Sequence, residues 1–103
     1  MNDRDEKIPY IVYVDDNFHF MDEGERQQRG AFGDCESARR YCQAIVDAYL
    51  NGAYRPGMDW RTLLASYKTF GEDPWISSLD QECQFSAWDY AERRCRELCA
   101  SQP

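Results

Sequence analysis

Apolar and polar positions recur along the chain with two different periods. Residues 8–14, Ile-Pro-Tyr-Ile-Val-Tyr-Val, are rich in β-branched and aromatic side chains and predict a strand. Tyr10, Val12 and Val14 would share one face of it, and Ile11 and Tyr13 the other. Pro9 lacks a backbone donor, which suits a strand start or an edge. Residues 29–34, Arg-Gly-Ala-Phe-Gly-Asp, predict a second, short strand antiparallel to the first. The connection between them is long for a hairpin, and long loops are often functional. Phe18 and Phe20 alternate with Asn17 and His19, so the first strand can continue into that loop.

From Cys35 onward the period changes to that of a helix. Ala38, Tyr41, Cys42, Ile45, Ala48 and Tyr49 mark the buried stripe of a helix over 35–50. Asp34 is a suitable N-cap, Glu36 suits the positive helix start, and Asn51-Gly52 supplies a stop. Tyr54-Arg55-Pro56-Gly57 reads as a turn. Asp59 then caps a second helix over 60–70, with Trp60, Leu63, Leu64, Tyr67 and Phe70 inward and Gly71 closing it. Ser86 caps a third helix with Asp89 in the capping-box position and Phe85 and Tyr90 in the staple positions. Trp88, Ala91, Cys95, Leu98 and Cys99 form its expected stripe. Residues 71–85 fit either a short third strand at 75–77 or a loop pinned by Trp75, Ile76 and Leu79. The order is β-β-α-α-(β)-α. It predicts an α+β fold, a short two- or three-stranded antiparallel sheet covered on one face by three helices.

At 103 residues the chain is expected to form a single domain, 1–103, with the charged residues 1–7 frayed. An aromatic content of 15% argues against disorder, because a few large rings close a small core. The net charge of −7 argues against nucleic acid, since phosphate binding needs clustered Lys and Arg. No apolar run approaches the ~20 residues of a membrane span. The opening residues have no apolar signal-peptide core. The five cysteines (Cys35, Cys42, Cys83, Cys95 and Cys99) are odd in number and form no Cys-x-x-Cys pair. Together these features predict a cytoplasmic protein with reduced, metal-free thiols.

The chemistry concentrates in one acidic-aromatic stretch. Asp15, Asp16, Asn17, Asp22, Glu23 and Glu25 offer the oxygen ligands of a divalent cation, but not at the spacing of a calcium loop. Asx turns in a solvated loop explain them as well. His19 is the one histidine, so a transition-metal site would need distant cysteines. Cys95 and Cys99 lie one helical turn apart on an apolar stripe, where cysteine acts as a small hydrophobe. Cys35 at a helix start has a depressed-pKa position, opposed by Asp34 and Glu36. None of these patterns calls for a cofactor.

Three stretches carry a resemblance: Tyr13-Val14-Asp15-Asp16-Asn17-Phe18-His19-Phe20-Met21-Asp22-Glu23, Phe70-Gly71-Glu72-Asp73-Pro74-Trp75, and Phe85-Ser86-Ala87-Trp88-Asp89-Tyr90-Ala91. The sequence resembles a group of small uncharacterised bacterial proteins that share them. The resemblance implies a free-standing bacterial cytosolic domain and adds no catalytic residue.

The expected function is a non-enzymatic module that binds a protein or a small ligand through the loop 16–28 and the segment 71–85. The expected contact residues are Asp15, Asp16, Asn17, Phe18, His19, Phe20, Glu72, Asp73 and Trp75. The competing expectation is a small metal-dependent enzyme or metal-binding protein centred on Asp15, Asp16, His19 and Glu72.

Overall fold

The computed structural model describes residues 9–17 and 27–100. Its elements are β1 (Tyr10–Asp16), β2 (Gln27–Phe32), α1 (Cys35–Ala53), α2 (Trp60–Phe70), β3 (Glu72–Ser77) and α3 (Ala87–Ala100). The strands form one antiparallel sheet in the order β2-β1-β3. The α+β fold and the antiparallel pairing of the first two strands are therefore as expected. The strand alternative for the third segment holds, and that strand starts earlier, at Glu72. Pro9 directly precedes the central strand, where its missing N–H interrupts no ladder.

The register explains the two faces. Val12 and Val14 are buried against Ala38 and Cys42 of α1, with Tyr10, Phe32 and Ile76 around them. Tyr13 faces Trp75 across the β1–β3 pair, and the rings stack with centroids 5.0 Å apart. The β1–β2 register shifts between Val12 and Tyr13, leaving Arg29 as the extra residue of a bulge. Helices α2 and α3 join α1 in a second core of Val46, Leu50, Leu63, Leu64, Tyr67, Ala87, Ala91 and Cys95. Phe85 packs against both cores and links them.

Local chemistry fixes the helix ends. The Asp34 carboxylate accepts from the Ser37 N–H at 2.8 Å, and that of Asp59 from the Arg61 N–H at 3.1 Å. Ser86 Oγ accepts from the Asp89 N–H at 3.2 Å, while the Phe85 and Tyr90 rings meet at 5.7 Å. The staple and cap expected for α3 are thus both in place. α1 differs from expectation by running through Asn51-Gly52 to Ala53. Ala53 packs against the helical core, and Arg55 Nη1 donates to the Gly52 and Tyr54 carbonyls at 3.0 and 2.9 Å. Those contacts offset the cost of a helical glycine, about 1 kcal/mol.

Three apolar positions lie elsewhere than their spacing suggested. Trp88 is 39% exposed, Phe70 60% and Leu79 83%. The stripe of α3 is centred on Ala87, Ala91 and Cys95, so Trp88 falls on its rim. Phe70 is the last residue of α2, beyond its buried Leu63, Leu64 and Tyr67. Leu79 pins nothing.

The expectation of five reduced thiols is overturned. Cys35 and Cys83 form a disulfide, with Cα atoms 5.8 Å apart. Arg39 shows how the two reach each other. Its Nε and Nη2 donate to the Gln84 and Glu82 carbonyls, each at 3.2 Å, holding the β3–α3 connection beside the start of α1. Cys42 and Cys95 are buried and Cys99 is half-buried. Burial pushes the Cys42 thiol up to about 12 and the Cys95 thiol up to about 11, as for small core hydrophobes.

Candidate functional site

The end of β1 and the start of β3 meet at one end of the sheet. Their last paired residues are Asp15 opposite Asp73 and Asp16 opposite Glu72. Directly opposed residues in an antiparallel pair share a face, so the two acidic rungs point to opposite sides. Asp15, Asp16, Asn17, Glu72, Asp73 and Trp75, which the sequence scatters over two segments, are therefore brought together. Phe18, His19 and Phe20 lie outside the described residues, as do Asp22, Glu23 and Glu25.

Each rung has its own electrostatics. Glu72 accepts a hydrogen bond from Arg29 Nη2 at 2.8 Å, across the central strand from β2. Both groups are partly exposed, so this pair contributes less than about 1 kcal/mol. Asp73 is half-buried opposite a like charge. Burial, and then the negative charge of Asp15, push its carboxyl up to about 6. Arg29 was not legible as part of this site, because the bulge that aims it depends on how the strands pair.

Asn17 has a structural place rather than an open one. It is 8% exposed. Its N–H donates to the Gly71 carbonyl at 3.0 Å and its Nδ2 to the Tyr67 carbonyl at 3.1 Å. Its Oδ1 accepts from Trp88 Nε1 at 3.4 Å. Asn17 thus ties the end of β1 to α2 and α3. Tyr67, wholly buried, completes the junction by donating from its hydroxyl to the Glu72 carbonyl at 2.6 Å. Burial raises its phenol pKa, so it remains a donor.

Beyond Trp75 the connection 78–86 curves around a concavity of about 450 Å³ that is open to solvent. Trp75, Ile76 and Phe85 line it together with Cys83 and the polar Ser78, Asp80, Gln81 and Gln84. Leu79, between Ser78 and Asp80 in sequence, is exposed and does not line it. Asp80 is held by the Tyr10 hydroxyl at 2.9 Å.

Among the described residues no three His, Cys, Asp or Glu side chains are grouped so as to hold a metal ion. Among them, too, no helix is long and apolar enough to cross a membrane. Compared with protein-family models, curated proteins and solved structures, the chain matches none of them.

Proposed function

We propose that the chain is a non-enzymatic interaction module of the cytoplasm, docking a partner protein through the segment 71–85 and the loop 16–28. The single observation that carries this reading is Leu79, 83% exposed, whose chain neighbours Ser78 and Asp80 line a concavity together with Trp75, Ile76 and Phe85. A large exposed apolar side chain beside a recess of mixed polar and apolar lining marks a contact surface. Phe70 and Trp88 form a second exposed apolar area at the other end of the sheet, flanking the Asn17–Gly71 junction from which the loop departs. A recess open to solvent suits a protruding side chain of a protein better than a small ligand, whose sites enclose most of its surface. The charge of −7 favours a partner with a basic rim.

Affinity capture from lysate with wild type and with Leu79→Ser tests this. A protein retained by wild type and lost from a variant of unchanged melting temperature supports the reading. The same set of proteins on both contradicts it.

A small enzyme is the second reading, favoured by one observation that bears on proton transfer and not on metal binding. The Asp73 carboxyl, pushed up to about 6, lies in the range useful for general acid–base work.

A further inference from the structure

The Cys35–Cys83 bond has a consequence for the proposed docking segment. In a reducing cytoplasm, disulfides that form are usually redox-sensing or catalytic rather than permanent. The connection 78–86 has no regular secondary structure, and up to Gln84 much of its hydrogen bonding is internal. The Cys83 N–H donates to the Asp80 carbonyl, the Glu82 N–H to the Asp80 carboxylate, and the Asp80 N–H to Ser78 Oγ. Among the described residues, its polar and covalent ties to the rest of the molecule before Phe85 are the Tyr10–Asp80 hydrogen bond, the Arg39 grip on two carbonyls, and the disulfide. The first two are hydrogen bonds that water can replace. The third is covalent. Before Phe85, which packs against both cores, Cys83 at 4% exposed is the one buried residue of the connection.

We propose that the Cys35–Cys83 disulfide is a redox latch on the β3–α3 connection. Closed, it holds Leu79 and the concavity in the arrangement described; opened, it frees residues 78–84 while sheet and helices stay folded. Cys35, at the first position of α1, is half-buried, whereas Cys83 is buried, so attack is assigned to Cys35. A thiolate of a protein or small-molecule dithiol attacks Cys35 Sγ. The S–S bond breaks, and its electron pair leaves on Cys83 Sγ, which takes up a proton. The second thiolate of the dithiol then attacks its own partner sulfur in the mixed disulfide. Cys35 departs as a thiolate and is protonated. The dithiol is oxidised to its disulfide, and the protein gains two thiols. The effect on binding rests on the docking reading above, whereas the latch itself rests only on the cytoplasmic location in that reading.

Hydrogen exchange with dithiothreitol as the dithiol tests it. Alkylation under denaturing conditions first counts the thiols of the untreated chain, and three are expected, Cys42, Cys95 and Cys99. Five would overturn the proposal. In labelling pulses short enough that α1, α2 and α3 stay protected, residues 79–84 of the reduced chain should take up deuterium at least tenfold faster than in the oxidised chain. The double variant Cys35→Ser/Cys83→Ser should show the same rapid uptake without reductant. Equal uptake by oxidised and reduced chains would show that Tyr10 and Arg39 suffice, and would overturn the latch. So would helices that lose protection together with 79–84, which would make the bond a staple of the whole fold. Loss of Leu79-dependent capture with normal latch behaviour would instead overturn the docking reading alone.

Discussion

A Cβ built on Gly71 would sit 2.3 Å from Cδ1 of Tyr67 and 2.9 Å from the Tyr67 carbonyl oxygen. Tyr67 cannot yield, because it is wholly buried and its hydroxyl is committed to Glu72. Gly71→Ala should therefore cost about 1–3 kcal/mol as an overpacking change, read as a lower urea midpoint at unchanged slope. A midpoint equal to wild type would mean that the junction relaxes freely. Asp73 gives a pH signature. Its pKa rises from an ordinary 3.8 to about 6 on folding, so the native state holds that proton more tightly. Its contribution is full below about 3.8 and is lost as pH rises through 6. Asp73→Asn should remove that dependence. At pH 7 it should be more stable than wild type by about 1 kcal/mol, after allowance for solvent screening. Melting temperatures of the two chains between pH 4 and 7 check this, and curves that stay parallel would contradict it. Trp88 shows a limit of sequence reading at this scale. Consecutive helix positions are turned about 100° apart, so a large ring next to a buried Ala87 fits the apolar spacing while lying at its rim. Trp88→Ala should accordingly cost about 1–2 kcal/mol, less than the ~3–5 kcal/mol of a fully buried ring.

Helices α2 and α3 were the most legible elements, because period, cap and stop agree with one another. Ser86→Ala tests the cap of α3 and should cost about 1 kcal/mol in a urea melt. No loss would mean that water or Asp89 replaces the Ser86 oxygen at no cost. The end of α1 was less legible, since a Gly normally stops a helix and only tertiary contacts of Ala53 and Arg55 carry it further. β3 was ambiguous because Pro74 interrupts the strand pattern. The sheet order resolves it: β3 is an edge strand, and Pro74 is buried opposite Val14.

At the scale of the whole molecule, pairing across long sequence separations decides what the sequence concealed. Cys35 and Cys83 are separated by 48 positions, and nothing in their spacing tells which thiols meet. Closing a loop of that length in the unfolded chain stabilises the native state by about 4 kcal/mol in the chain-entropy account. Against a typical total of about 5–15 kcal/mol, reduction should lower the urea midpoint measurably and leave the chain folded in water. The acidic end of the sheet was legible as a set of residues, because Asp15-Asp16 and Glu72-Asp73 stand out in composition. Their rung-by-rung opposition, the reach of Arg29 and the burial of Asn17 were not, since each follows from register. The docking surface is the central claim, and a photoreactive benzoylphenylalanine placed in living cells tests it most directly. Residue 79 is the reporting position, and residue 44, on an exposed part of α1, is the control. A discrete cross-linked partner at 79 that is absent at 44 is the predicted result. No product at 79, or the same products at both positions, would contradict it.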